Sequence, residues 1–158
     1  EAYRGVLTRE GKNAAALTGA ATLLVSLGRF DDARAHAELA VDVAPATAHE
    51  LLARLAVQRG DAEAARGHAV AGAAADATLP LPAFIDGLIL YNQGAYAASI
   101  APLSQAAEAL SRRTEQLPDV RYLLGDALAR ENRLAEAERW FLAEVRDFPS
   151  LRARSSWV

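Results

Sequence analysis

The feature that most constrains this chain is a short turn that recurs along it at nearly even intervals. The turn first occurs in LGRFDD, residues 27–32, where a glycine follows a leucine and two aspartates begin the next segment. Equivalent turns are centred on Gly28, Gly60, Gly94 and Asn132, which are 32, 34 and 38 residues apart. Repetition with a period of about 20–50 residues is typical of chains built from stacked supersecondary units. The spacing therefore predicts a helical repeat array.

The composition favours thin, closely stacked helices over one thick core. Hydrophobic residues make up 52% of the 158 residues, but aromatic residues make up only 6%, because much of the apolar share is alanine. Alanine is the best helix former, and its small side chain lets helices approach closely. Asparagine tolerates left-handed backbone, so Asn132 can stand where the other turns have glycine.

Each unit is predicted to consist of two helices joined by one of these turns. The four units span residues 14–45, 46–79, 80–117 and 118–149. Side chains that can accept hydrogen bonds from the free N–H groups of a helix stand at the predicted helix starts. On this basis Asn13 and Asp61 are expected to cap helices, and Asp31 or Asp32 is expected to cap the second helix of the first unit.

Proline and the longest interval between turns indicate where the second helices end. Pro45 and Pro149 are expected to terminate the second helices of the first and fourth units, because proline cannot continue a helix. The run EALSRRTEQLPD, residues 108–119, accounts for the 38-residue interval. It predicts that the second helix of the third unit carries an extra turn and reaches about Glu115.

The two ends of the chain have the pattern of incomplete units. Residues 1–11 are predicted to be the second helix of a truncated repeat, and residues 150–158 to be the start of a further helix. The chain does not begin with methionine. We therefore expect it to be a segment of a larger protein, in which exposed terminal helices could also pair two copies of the chain.

Small residues recur in phase with the turns at three further places in each unit. In repeat order they are Ala21, Ala53, Gly87 and Gly125; Ala33, Ala65, Ser99 and Ala137; and Ala40, Gly72 and Ala106, with Glu144 departing. Together with the turn glycine this pattern resembles the tetratricopeptide repeat, a helix–turn–helix unit of about 34 residues. The resemblance covers four full repeats and the partial repeats beside them. It implies an all-α fold, a right-handed α-solenoid of antiparallel helix pairs.

The charge and the apolar runs exclude two classes of partner. The formal net charge is −3, which is unlike the basic surface of a nucleic-acid-binding protein, so no nucleic-acid partner is expected. No apolar run approaches the roughly 18 residues of a membrane span. There are no cysteines, which excludes disulfides and thiolate metal sites.

No catalytic or metal-binding motif is present in the sequence. The nucleophile elbow, the phosphate-binding loop and the zinc-protease motif are all absent. The histidines are His36, His49 and His68, of which His36 and His68 occupy equivalent places in adjacent units. These two are predicted to lie near each other, but two ligands make a poor metal site. We therefore expect no enzymatic activity, no metal and no cofactor.

The resemblance implies that the first helix of each unit lines a concave groove that binds a protein or peptide. Aromatic residues beside arginine are typical of interaction hot spots. The residues expected to contact a partner in the groove are Arg54, Phe84, Leu88, Tyr91, Asn92, Tyr122, Asp126 and Arg130. An alternative for Phe84 and Tyr122 is that they pack against neighbouring helices.

Two functions remain in competition at the level of the sequence. The first is a non-catalytic protein–protein interaction module that binds a peptide or protein segment. The second is a structural, scaffolding or dimerising arm of a larger, multidomain protein.

Overall fold

The computed structural model describes residues 13–114 and 117–148 as a succession of α-helices. The predictions made for residues 1–11 and 150–158 lie outside the described residues. Within the described part there are eight helices and no strand. The helices are α1 (Ala14–Ser26), α2 (Phe30–Ala40), α3 (Pro45–Gln58), α4 (Ala62–Ala75), α5 (Leu81–Asn92), α6 (Tyr96–Leu110), α7 (Val120–Arg130) and α8 (Leu134–Asp147).

The chain divides into two compact units, residues 1–85 and 86–158. The eight described helices follow one another as the pairs α1–α2, α3–α4, α5–α6 and α7–α8, which we call repeats 1 to 4. The division therefore falls inside α5, the first helix of repeat 3. Among the described residues no helix is long and apolar enough to cross a membrane.

The turns within the four pairs have the left-handed backbone that their residues predict. Gly28, Gly60 and Gly94 have φ values of 71°, 79° and 76°, and Asn132 has a φ of 60°. A side chain with a Cβ is disfavoured in this region, and glycine and asparagine tolerate it best. Each pair of helices therefore reverses direction within a few residues.

The small residues of the pattern are buried between helices. In repeat 1, Ala21 and Ala37 form one cluster with Leu52 of α3, and Ala40 packs with Leu17 and Ala48. In repeat 4, a Cβ atom on Gly125 would lie 2.9 Å from the ring of Phe141. Contacts this close require small side chains, because a larger group would have no space.

Glu144 stands where the other repeats have a small residue, and it is buried. Its Oε1 atom accepts a hydrogen bond from the backbone N–H of Asp119, at a distance of 2.8 Å. Asp119 precedes α7 and has a left-handed φ of 70°. Burial raises the pKa of the Glu144 carboxyl above its usual range. This departure from the pattern thus supplies a cap for the first helix of its own repeat.

Several predicted helix ends differ from the structure. Asn13 and Asp61 cap α1 and α4 as predicted, by accepting hydrogen bonds from Ala16 and Ala64. The residue that precedes α2 is Arg29, so Asp31 and Asp32 lie in the first turn and the cap predicted for them is wrong. Their negative charge there still interacts favourably with the helix dipole.

Pro45 opens a helix instead of closing one. Helix α2 ends at Ala40, and Pro45 is the first residue of α3. Proline suits that position because the first N–H groups of a helix have no partner within the helix.

The extra residues of repeat 3 also lie elsewhere than predicted. Helix α6 ends at Leu110 and not near Glu115, so the added length belongs to the connection after the helix.

Candidate partner-binding site

Four side chains from three helices meet in repeats 3 and 4. We call Tyr91, Tyr96, Asp126 and Arg130 the tyrosine–arginine cluster. The Tyr91 hydroxyl donates a hydrogen bond to Oδ2 of Asp126 at 2.5 Å, and Nε of Arg130 donates to the same oxygen, also at 2.5 Å. The Arg130 guanidinium lies over the Tyr96 ring, with Cζ 4.4 Å from the ring centroid. All four residues belong to the second compact unit.

Local sequence explains how these side chains come together. Tyr91 is near the end of α5 and Tyr96 begins α6, so the tight turn at Gly94 folds one ring back beside the other. Their centroids lie 5.3 Å apart in an edge-to-face arrangement. Asp126 and Arg130 are four residues apart on α7, which places them on one face of the helix. The hydrogen bond from Tyr91 then joins α5 to α7.

The environment of the cluster raises the pKa of two of its members, Tyr91 and Arg130. Burial and the hydrogen bond to Asp126 raise the pKa of Tyr91 to about 12. Tyr91 is therefore a neutral hydrogen-bond donor at physiological pH. The hydrogen bond to Asp126 raises the pKa of Arg130, whose side chain is 45% exposed. The cluster thus presents a permanently charged guanidinium at the surface, oriented by Asp126 and the Tyr96 ring.

Most of the predicted groove residues of repeats 3 and 4 lie in or near this cluster. The structure brings together Tyr91, Asp126 and Arg130. Tyr122 is one turn before Asp126, is half-buried, and packs against Phe141 with the ring centroids 5.7 Å apart. Burial raises the pKa of Tyr122, and the negative charge of Asp126 raises it further.

Two more predicted residues, Leu88 and Asn92, belong to α5. Leu88 is half-buried and Asn92 is exposed. Sequence reasoning missed Tyr96, because it considered only the first helix of each unit. Its position five residues after Tyr91, across a glycine turn, was the available signal.

The predicted residues of the first compact unit form a separate contact. Phe84 is completely buried, and the Arg54 guanidinium lies over its ring with Cζ 4.6 Å from the centroid. The Nε atom of Arg54 also donates to Oε1 of Glu50 at 3.0 Å. Because Phe84 has no exposed surface, the expectation that it contacts a partner is corrected to a packing role. Arg54 is partly exposed, with 22% of its side chain accessible.

One histidine contact was not predicted from the sequence. Nδ1 of His68 lies 3.2 Å from Nδ1 of His49 on the neighbouring helix. His36 donates from Nδ1 to the backbone oxygen of Asp32 at 2.9 Å. In the described part of the chain, no group of three or more histidine, cysteine, aspartate or glutamate side chains could hold a metal ion.

Comparison with known proteins gives one family and several similar structures. The family model described as tetratricopeptide repeat matches residues 18–80 and 103–151. The MamA protein is similar to this chain at 16% identity, with a TM-score of 0.55, over 95% of this chain and 81% of that chain. YrrB, described as a TPR protein with an unusual peptide-binding site, is similar at 22% identity, with a TM-score of 0.56, over 94% and 76%.

PilF of Pseudomonas aeruginosa is also similar, at 17% identity with a TM-score of 0.57, over 93% of this chain and 66% of that chain. No curated protein matches the sequence. At these identities the similar structures show a shared fold alone.

Proposed function

The chain belongs to the tetratricopeptide repeat family, as an all-α solenoid, and we propose that it binds an extended peptide segment of another protein at the tyrosine–arginine cluster. The family is generally a non-catalytic interaction fold, and the proposed role is likewise non-catalytic. The observation that carries the proposal is the anchoring of Arg130, with its surface-exposed guanidinium, by Asp126 and Tyr96.

The chemistry of the cluster is complementary to a peptide main chain. A guanidinium has five N–H donors and a carboxylate has several acceptor sites. Arg130 and Asp126 therefore offer donors and an acceptor side by side, as the C=O and N–H groups of a peptide require. The tyrosine rings beside them add apolar contact area. Tyrosine and arginine are enriched among the residues that dominate binding energy.

The contacts within the cluster also reduce the cost of binding. Ordering a long side chain at an interface costs about 0.5–1.5 kcal/mol. The ion pair with Asp126 and the contact with the Tyr96 ring already hold Arg130 in place before a partner arrives. Support for a peptide as the partner also comes from YrrB, a protein of this fold that is described as having a peptide-binding site.

The experiment selects peptides from a random library on the wild-type chain and measures their dissociation constants with variants. We expect Arg130→Gln to weaken the selected peptides at least tenfold, which corresponds to about 1.4 kcal/mol. Glutamine keeps much of the side-chain length but removes the charge and most of the donors. Isothermal titration calorimetry measures the affinities.

The matched control is Arg133→Gln. Arg133 is 46% exposed and pairs with Glu136, close to the end of α7 but outside the cluster. This variant should bind the same peptides with wild-type affinity, and both variants should keep the wild-type circular dichroism spectrum. Failure to select any peptide, or equal affinity for the two variants, would contradict the proposal.

A second candidate function is a structural arm that joins two copies of the chain. It is favoured by the apolar surface of α8, where Leu134 and Leu142 are 62% and 63% exposed. These residues, with Phe141 and Val145 among others, line a cavity of about 340 Å³. In repeat 1, Ala37 of the equivalent helix α2 and Val41 just after it occupy the places of Phe141 and Val145 and pack against α3.

Light scattering distinguishes this candidate from a monomeric binding module. If α8 pairs two copies, the wild type should have about twice the 16.8 kDa mass of the chain, and Leu142→Glu should reduce it to one. Leu39→Glu is the control, because Leu39 is 52% exposed but lies on α2. A wild-type protein that stays monomeric, or a dimer that survives Leu142→Glu, would exclude pairing through α8.

A further inference from the structure

Two imidazole rings from different helices meet inside repeat 2. Nδ1 of His49 on α3 lies 3.2 Å from Nδ1 of His68 on α4, and both side chains are half-buried. The ring centroids lie 5.4 Å apart, with an angle of 31° between the ring planes. The nitrogens are thus much closer than the ring centres, so each Nδ1 faces the other ring. This arrangement fits a single N–H···N hydrogen bond between the two helices.

The contact lies where α4 is tightly packed. A Cβ atom added to Gly72 of α4 would lie 3.3 Å from Cβ of His49 and 2.6 Å from a methyl group of Leu81, the first residue of α5. A change in the spacing of the two imidazoles therefore acts directly on the packing of α4 against α3 and against the start of α5.

We infer that the His49–His68 contact is acid-sensitive. It holds the two helices of repeat 2 together at neutral pH, and it breaks when both rings are protonated. The inference does not depend on the function proposed above.

Counting protons shows why the contact tolerates one added proton but not two. In the neutral pair, one ring donates its Nδ1 proton and the other accepts it with an unprotonated Nδ1. A first added proton can go to the outer Nε2 of the donor ring, which keeps the bond and makes it charge-assisted. A second would have to go to the accepting Nδ1. Two N–H groups and two positive charges would then face each other.

The groups around the pair shift the pKa of His68 in both directions. Burial is the main cause that lowers the pKa of His68, and the neighbouring His49 lowers it further. Glu38 of α2 and Asp61 at the start of α4 act in the opposite direction. Arg34 and Arg59 line a cavity of about 160 Å³ together with His68 and these two carboxylates, and Nε of Arg34 lies 3.6 Å from Oε1 of Glu38 as an ion pair.

The expected pH dependence follows from proton binding in the two states. In the unfolded chain each histidine takes up a proton near pH 6.5. The folded chain binds fewer protons in this range, because the second proton is excluded. The contribution of the His49–His68 contact to the stability of the fold is therefore complete above about pH 6.5. It is lost as the pH falls through the lowered pKa of the folded pair. For one proton, the unfolding constant can rise by at most about tenfold per pH unit.

The first experiment measures urea unfolding of the full chain at pH 7.5 and pH 5.5. The increase in the unfolding constant on acidification should be at least threefold larger in the wild type than in His68→Gln. Glutamine can still hydrogen bond to His49 but takes up no proton, so His49 can then be protonated without a clash. His36→Gln should keep the full wild-type dependence, because the Nδ1 of His36 already donates to a carbonyl and its protonation costs no contact.

A second measurement needs no substitution and covers the case in which His68→Gln does not fold. Nuclear magnetic resonance of the histidine ring nitrogens in the wild type should show one ring of the pair titrating below the ordinary histidine pKa of about 6.5. The inference is overturned if all three histidines titrate together, or if His68→Gln and the wild type lose stability equally in acid.

Discussion

Replacing Asp147 by asparagine is expected to lower the free energy of unfolding by about 1.5–3 kcal/mol. Its carboxylate forms an ion pair with Arg121, whose side chain is only 5% exposed, and this pair joins α8 to α7. Asparagine preserves the size of the side chain but removes the negative charge. The buried guanidinium of Arg121 then loses the charge-assisted hydrogen bond to Asp147, and such bonds are stronger than those between neutral groups. Urea unfolding followed by circular dichroism measures the difference.

Arg146→Gln is the control for this prediction. Its Nε atom lies 2.9 Å from Oδ1 of the same carboxylate, but the Arg146 side chain is 74% exposed. Removing an exposed ion pair costs less than about 1 kcal/mol. Equal losses of stability in the two variants would show that Arg121 does not depend on Asp147.

The cost of Asp147→Asn should also depend on pH. The hydrogen bond from Arg146 is the main cause that lowers the pKa of Asp147, and the charge of Arg121 acts in the same direction. A lowered carboxyl pKa stabilises the fold above the ordinary value of about 3.9, and this contribution is lost as the pH falls through the lowered value. The difference between wild type and variant should therefore shrink in strong acid.

Gly87→Ala is expected to lower the free energy of unfolding by about 1–3 kcal/mol, although alanine is the better helix former. A Cβ atom at this position of α5 would lie 2.6 Å from Cγ and 3.2 Å from the backbone nitrogen of Leu103 on α6. Leu103 is completely buried, so its side chain has no free space into which it can move. The two helices would have to separate. Urea unfolding measures the loss.

Gly67→Ala is the matched control, because it makes the same change inside a helix at a position where an added Cβ atom would meet no other atom. Gly67 lies within α4, is exposed, and has no atom within 4 Å of the position of an added Cβ. Here only the helix propensity changes, so the variant should be about 0.5–1 kcal/mol more stable than the wild type. A Gly87→Ala variant that gains stability like Gly67→Ala would contradict the close approach of α5 and α6.

Features set by a residue's own backbone could be predicted from the sequence. The left-handed turns at Gly28, Gly60, Gly94 and Asn132 are of this kind, since the steric penalty depends on whether the residue itself carries a Cβ. The caps at Asn13 and Asp61 are local as well, because each reaches a backbone N–H three residues later. The phase of the repeats follows from these positions.

Helix ends were predicted less well where one residue type suits two positions. Proline can follow a helix or begin one, and the pattern alone did not distinguish these roles for Pro45. In repeat 3 the pattern predicted a helix that continues past Leu110, but in the structure α6 ends at that residue. A helix continues only where packing compensates for the entropy of ordering it, and the sequence of one segment does not contain that information.

By itself the sequence determined the fold class and the close packing of the small residues, since both follow from a pattern that repeats with a local period. Only the tertiary structure decided which side chains meet. It buried Phe84, joined Tyr96 to Arg130, and paired His49 with His68. These contacts join different helices, so they depend on how neighbouring helices are rotated against each other. A difference of one position along a helix turns a side chain by about 100°, and the repeat pattern does not resolve this for every residue.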